Sequence, residues 1–218
     1  MTTAIEHHPS DETVFSYAAG ALPAALALVV GCHLQYCRRC RALATKGEEL
    51  GGSLLAGLEA KPLSAGRRES VMAMLDRPVA ATATPEVPAA NPGQLPSLLR
   101  KLVGHDSYDA LAWKSIVPGV KRIDLQCGEG EAMLLRIGAG KKMPVHSHGG
   151  QEMTLILSGG YRDLIGQFNA GDFADLDGSI AHQPVADADE DCICLAGLDG
   201  PLKFKGLIAR VLQPFFGI

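Results

Sequence analysis

Apolar residues in the first third of the chain recur at the three- and four-residue spacing of amphipathic helices. Breaks at Gly20 to Pro23 and at the glycine pair 51–52 divide this region into segments. Four helices are predicted: one that Ser10 or Asp11 caps, Ala24 to about Leu34, Arg38 to the glycine pair or on to Leu58, and Arg67 to Leu75.

The last of these helices carries an apolar stripe. It consists of Val71, Met72, Met74 and Leu75. Such a stripe is explained equally well by packing on the other three helices and by binding a partner protein. The sequence leaves both interpretations open.

After about Arg100 the pattern changes to short, alternating or β-branched apolar runs separated by glycines. This texture is typical of a small antiparallel barrel or sandwich. Five strands are predicted at Val120 to Leu125, Ala132 to Ile137, Met153 to Leu157, Cys192 to Leu195 and Leu207 to Leu212. The fold class is therefore α+β, with a helical bundle first and a β-barrel second.

Residues 78–96 are rich in proline and small residues, which is typical of a semi-extended linker. This stretch divides the chain into a helical domain at 1–77 and a barrel domain at 97–218. A flexible connection of this kind suggests that the two parts move independently.

Composition excludes several functional classes. The net charge is -4 and neither half of the chain is strongly basic, so a surface that neutralises nucleic-acid phosphates is not expected. The longest apolar stretch, Ala18 to Cys32, is too short and too interrupted to span a bilayer, and no signal peptide is recognisable. We expect a cytoplasmic protein, in which the six cysteines are ligands, redox thiols or core residues rather than disulfides.

A thiolate-rich metal-ligand pattern lies near the N-terminus. His33 and Cys37 are four residues apart, and Cys40 follows three residues later, where a new helix start can bring its sulfur back. Either His8 or its neighbour His7 completes a Cys2His2 set suited to structural zinc. The alternative is that the cysteines are core or surface thiols and His33 is a polar face residue.

A second ligand pattern lies in the predicted barrel. His146 and His148 lie two residues apart on one predicted strand, so their side chains point to the same side. Glu152 begins the next strand, and His182 follows downstream. Such a set leaves open positions on an octahedral metal or closes a tetrahedral zinc site, whereas an isolated His-x-His is usually a surface feature. Cys192 and Cys194 share one face of a strand and are either candidate redox-sensing thiols or core residues, with packing slightly favoured.

The glycine-flanked stretch around His146, His148 and Glu152 resembles the first cupin motif, and Gly171 to His182 resembles the second. The N-terminal cluster is similar to the zinc-binding anti-sigma domain. The two in tandem resemble the ChrR family of anti-sigma factors. The second motif departs from the usual pattern at Asp177, Ser179 and Ala186, which are turn positions.

The resemblance implies a function. Residues 1 to about 77 would bind a group IV (extracytoplasmic function) sigma factor and mask its contacts with RNA polymerase. His8, His33, Cys37 and Cys40 would hold a structural zinc, and His146, His148, Glu152 and His182 a second zinc, in a domain that responds to singlet oxygen or organic hydroperoxides.

Two other functions fit the residues. One is a metal-dependent cupin enzyme, such as a dioxygenase or isomerase using Fe(II) or Mn(II), although the thiolate site has no evident role in it. The other is a metal-storage or scaffold protein, which the predicted linker disfavours. We expect two zinc ions per chain and no enzymatic activity.

Overall fold

The computed structural model describes residues 4–75, 91–200 and 202–204, with the backbone alone at His148 and in 202–204. Helices come first and an antiparallel sheet domain follows, so the predicted α+β class is confirmed. The helices are α1 (Asp11–Ala18), α2 (Ala24–Tyr36), α3 (Arg38–Ala56), α4 (Arg67–Leu75), α5 (Ser97–Val103) and a 3-10 turn at Tyr108–Ala110.

Local chemistry explains where the first helices begin. Ser10 caps α1, and its hydroxyl accepts a hydrogen bond of 3.1 Å from the Thr13 amide. Cys37 has extended backbone between α2 and α3, and its sulfur accepts a hydrogen bond from the Cys40 amide. This cap makes a sharp corner between the two helices.

The described residues of the second part contain eleven strands, and the four predicted strands that fall within them are all present. The strands are β1 (Lys114–Val117), β2 (Val120–Leu125), β3 (Glu131–Ile137), β4 (His146–His148), β5 (Glu152–Ser158), β6 (Gly160–Arg162), β7 (Gln167–Asn169), β8 (Phe173–Leu176), β9 (Val185–Ala186), β10 (Cys192–Leu198) and β11 (Leu202–Phe204). The fifth prediction, at 207–212, lies outside the described residues.

All strand pairs are antiparallel. The main sheet has the order β1-β2-β3-β10-β5-β8, and β8 is its edge strand. A three-stranded sheet, β7-β6-β9, faces it, and the pair β11-β4 completes the enclosure. Ile156, Tyr161 and Phe168 are among the buried residues between the two larger sheets.

The other face of the main sheet is covered by α2. Leu26, Val29 and Val30 are buried with Leu155 and Leu195 in one core cluster. The approach is close, because a Cβ added at Gly197 would lie 2.8 Å from the Ala25 carbonyl oxygen and from a Val29 methyl group. Helix α2 thus shares a core with the barrel.

The end of the predicted linker is also packed. The Gly93 amide donates to the Leu157 carbonyl at 2.9 Å, and Leu95 is buried. The Gln35 side-chain oxygen accepts from the Ser97 amide at 2.7 Å, which ties α5 to α2. Residues 91–96 therefore belong to the folded structure, and 78–90 lie outside the described residues.

No helix among the described residues has both the length and the apolar character needed to cross a membrane.

Candidate metal centres and partner surface

The corner between α2 and α3 brings three of the predicted N-terminal ligands together. His33 lies in the last turn of α2, Cys37 at the corner and Cys40 in the first turn of α3. All three are buried, with exposed fractions of 5% or less. Cys37 thus lies between the two helices, where it caps the second of them.

The fourth member of this cluster is His8, from the segment that precedes α1. One ligand atom from each of His8, His33, Cys37 and Cys40 lies within 4.8 Å of the others. The neighbouring His7 points elsewhere: its Nε2 hydrogen-bonds the Gln167 carbonyl at 3.0 Å, and its ring lies 4.4 Å from that of Phe168. We call the first set the N-terminal cluster.

The spacing of these atoms fits a single tetrahedral ion. The Nδ1 atom of His8 lies 3.5 Å from the sulfur of Cys37 and 3.5 Å from that of Cys40. Ordinary zinc–sulfur and zinc–nitrogen bond lengths in a tetrahedron imply an S···N separation of about 3.6 Å. Two sulfurs and two imidazoles are also the donor types that zinc favours.

The orientation of His33 is set by a backbone group of the barrel. Its Nδ1 lies 3.1 Å from the carbonyl oxygen of Gly171, which requires the proton on that nitrogen. Its Nε2 is buried and has no hydrogen-bond partner among the described residues. Nε2 is thus left available for a metal, as in sites where a carbonyl orients a ligating histidine.

The two thiols are strongly coupled. A hydrogen bond from Cys40 is the largest of the influences that lower the pKa of Cys37 far below its usual range in spite of burial. The adjacent Cys37 sulfur raises the pKa of Cys40. The two sulfurs therefore interact directly, and a metal that binds both of them displaces their protons.

The barrel contains a second group of ligands. His146, Glu152 and His182 each offer an atom within 4.8 Å of the others, and all three are buried. The side chain of His148 lies outside the described residues, so its predicted role stays a prediction. We call His146, Glu152 and His182 the barrel cluster.

Strand pairing positions the barrel cluster. His146 is in β4 and Glu152 begins β5, while His182 lies in the loop before β9. The backbones of His146 and His182 exchange two hydrogen bonds of 3.1 and 3.0 Å. Their rings consequently lie side by side, with centroids 4.4 Å apart.

Asp163 orients His182 and was not predicted from the sequence. Its carboxylate lies 3.1 Å from Nδ1 of His182, while Nε2 of His182 lies 3.5 Å from Glu152. Burial alone lowers the pKa of His182, but the hydrogen bonds to Glu152 and Asp163 outweigh it and raise that pKa. No spacing pattern marks Asp163, because it reaches His182 only through the tertiary fold.

An open cavity of about 370 Å³ reaches His182 from the outside. Arg162, Asp163 and Leu164 are part of its wall. The barrel cluster can hold a metal through imidazole and carboxylate groups. The cavity lies beside His182 and Asp163, and neither His146 nor Glu152 is part of its wall.

Cys192 and Cys194 are buried on β10, inside the barrel core. A hydrogen bond with Cys194, followed by burial, raises the pKa of Cys192 well above its usual value. At neutral pH Cys192 is therefore a protonated thiol in an apolar setting. Protonation and burial both slow thiol chemistry.

The apolar stripe on α4 is exposed. Val71, Met72, Met74 and Leu75 have exposed fractions between 48% and 70%. No residue of α4 is buried, so the stripe is not packed against the described part of the chain. Exposed apolar surface of this kind is typical of protein-binding sites.

Comparison with known proteins covers the whole molecule. Residues 105–201 match the ChrR cupin-like domain. The chain is 41% identical over 215 residues to the anti-sigma-E factor ChrR of Cereibacter sphaeroides, an alignment that covers 98% of this chain and 99% of that protein. The crystal structure of Rhodobacter sphaeroides SigE in complex with the anti-sigma ChrR matches with a TM-score of 0.77 and 41% identity, over 90% of this chain and 100% of that chain.

Proposed function

Because the chain belongs to the ChrR family of anti-sigma factors, we propose that it binds an extracytoplasmic function sigma factor and keeps that factor from RNA polymerase. The observation that carries this proposal is the match along both parts of the molecule, since a cupin alone is compatible with many activities. The chain is a regulator and not an enzyme, and the metal-dependent cupin enzyme is not supported by the family. Sigma factors meet RNA polymerase in the cytoplasm, so we place this protein there.

We infer that the N-terminal cluster holds a structural zinc ion. The support is the donor set, the 3.5 Å sulfur–nitrogen spacing and the buried Nε2 of His33. A bound zinc joins the segment before α1 to the α2–α3 corner and stabilises a helical region with little core of its own. Imidazole and carboxylate are also zinc ligands, and we propose a second zinc at the barrel cluster, with His148 as a further ligand.

The docking surface that we propose is the exposed apolar face of α4 together with the end of α3. Leu50, Leu54, Leu55 and Leu58 have exposed fractions between 58% and 70%. Burying such side chains against a partner stabilises a complex by roughly 1.5–3 kcal/mol each when burial is complete. This surface belongs to residues 1–77, the region we assign to sigma binding.

We further propose that oxidative stress, through singlet oxygen or an organic hydroperoxide, releases the sigma factor. The support is the presence of thiol ligands in the cluster that organises the binding region, since thiolates are the groups that oxidants attack first. The barrel, with its open cavity at His182, is the part through which we expect the signal to act.

Transcription in a purified system tests the central proposal. RNA polymerase is combined with the extracytoplasmic function sigma factor of the same organism, with and without this chain. We expect inhibition that rises to completion at one chain per sigma factor. Full transcription in the presence of an equimolar zinc-loaded chain, for every such sigma factor of the organism, would reject the function.

A further inference from the structure

The segment that carries His8 runs along the free edge of the barrel. Strand β8 is the edge of the main sheet, and the amide of its first residue, Phe173, donates to the His7 carbonyl at 3.1 Å. Backbone pairing of this kind covers an edge that would otherwise be open. The position of His8 is therefore set partly by the barrel.

Two barrel carboxylates hold this segment on either side of His8. Asp172 is 1% exposed, and one of its oxygens accepts from the amides of Glu6 and His7 at 2.7 and 3.0 Å. Its other oxygen accepts from the Asn169 amide at 2.8 Å, which fixes the carboxylate itself. Hydrogen bonds to a buried charged acceptor are among the stronger ones in proteins.

Asp175 acts on the far side of His8. Its Oδ2 atom accepts from the Ser10 amide at 3.2 Å and from the Thr13 hydroxyl at 2.7 Å. Ser10 is the cap of α1, so this carboxylate also sets where that helix begins. Residues 6–13 are thus held to the barrel at both ends.

The second imidazole of the N-terminal cluster depends on the same stretch of the barrel. Gly171, whose carbonyl accepts from His33, directly precedes Asp172. Its φ of +98° suits glycine, and a Cβ there would lie 2.9 Å from a side-chain carbon of Ile5. The two thiols, in contrast, belong to the α2–α3 corner.

We propose that residues 171–175 of the barrel are the outer shell of the N-terminal metal site: Gly171, Asp172 and Asp175 position its two histidines, and so control how long the metal is retained. The inference rests on the proposed zinc site. This arrangement also links the two clusters directly. Strand β8 directly follows or includes the residues that position the N-terminal cluster. It pairs with β5, and its Leu176 stands opposite Glu152 of the barrel cluster. A shift of β8 moves the imidazoles relative to the thiols.

A groove reaches the candidate metal site at His8. It has a volume of about 570 Å³ and is lined by His8, Asp175 and Phe173, among other residues. A chelator can therefore compete for the metal without global unfolding of the chain, which makes metal release a direct measure of how firmly His8 is held.

The test is the rate of zinc transfer to a chromophoric chelator from the full-length chain. The kinetic phase missing in Cys37→Ser identifies the N-terminal site. We expect Asp172→Asn and Asp175→Asn to speed this phase about tenfold or more, the usual scale for outer-shell changes. Asp189→Asn, an exposed barrel position, is the matched control and should keep the wild-type rate.

Two further measurements separate positioning from general loss of structure. The melting temperature of each variant shows whether the barrel keeps its stability. Cobalt(II) in place of zinc reports thiolate coordination through its absorption bands. If folded Asp172→Asn and Asp175→Asn chains release zinc at the wild-type rate, the positioning role is overturned while the proposal of a zinc site still stands. Absence of zinc from the wild-type N-terminal site overturns both. If Asp172→Asn does not fold, the zinc release rate of Asp175→Asn alone tests the positioning role.

Discussion

The imidazole of His33 donates a hydrogen bond of 3.1 Å to the carbonyl oxygen of Gly171, although 138 residues separate them in the chain. One partner is a candidate zinc ligand at a helix corner, and the other begins the barrel stretch that also holds the segment of His8. The helical part and the barrel therefore meet at the N-terminal cluster, and they do so through backbone and buried side-chain groups. A regulator built this way need not transmit a signal across a loose linker.

Replacing one thiol of the N-terminal cluster should abolish sigma binding. In Cys37→Ser the metal loses a sulfur ligand, whereas the serine hydroxyl can still accept from the Cys40 amide at the α2–α3 corner, so zinc content should fall by about one ion per chain. Metal analysis and co-purification with the sigma factor measure both effects. Cys127→Ser, which changes a partly buried thiol away from either cluster, should bind normally. Normal sigma binding by Cys37→Ser would show that the cluster is dispensable.

The isolated fragment 1–77 should still inhibit the sigma factor but should no longer respond to oxidant. It keeps all four cluster residues and the exposed apolar face, yet it loses Asp172 and the sheet that covers Leu26 and Val29. We therefore also expect a lower melting temperature and faster zinc release than in the full chain. Transcription inhibition with and without hydroperoxide tests the separation of roles. A fragment that responds as fully as the intact chain would place the sensor within 1–77.

Charge on the apolar stripe should weaken the complex. Met72→Lys puts a charged head group into the proposed interface, and we expect affinity to fall at least tenfold, or about 1.4 kcal/mol. Leu164→Lys is the matched control, since Leu164 is 94% exposed but lies on the barrel. Titration calorimetry measures the affinity of the Met72→Lys and Leu164→Lys chains for the sigma factor. Equal affinities would remove α4 from the interface.

Asp163 should control metal retention in the barrel. Asp163→Asn keeps the shape of the side chain but weakens the hold on Nδ1 of His182, so the affinity of the second site should drop about 10–100-fold. Competition with a chelator measures this change, and Glu152→Gln, which removes a ligand charge, should be more severe. An unchanged affinity in Asp163→Asn would mean that Asp163 is not needed to orient His182.

The buried thiols of β10 should resist alkylation. Because a hydrogen bond with Cys194 and then burial raise the pKa of Cys192, little thiolate is present at neutral pH. Mass spectrometry after a short iodoacetamide treatment should find Cys127 modified well before Cys192. Equal modification of the two in the folded protein would instead support the redox-sensing interpretation of Cys192 and Cys194.

Local patterns were sufficient for most of the elements. Helical periodicity predicted α1 and α3, with Ser10 or Asp11 as the cap of α1, and short β-branched or alternating runs predicted β2 and β3. Those signals depend on neighbours a few residues apart. The uniform apolarity of α2 did not indicate which part of the protein covers this helix. A helix that is hydrophobic all round is buried on all sides, but its sequence does not say by what.

The sequence by itself determined the chemistry of this protein: which residues offer sulfur, imidazole and carboxylate, and that the thiolate set and the barrel set are distinct. Only the tertiary structure decided that His8 rather than His7 joins the thiols, and that α2 shares its core with the barrel. It also identified Asp163, Asp172 and Asp175 as partners of the candidate sites. The physical reason is the separation along the chain of the residues that interact. Ligand type and periodicity are local properties, whereas the hydrogen bond from the His7 amide to Asp172 spans 165 residues and exists only once the chain has folded.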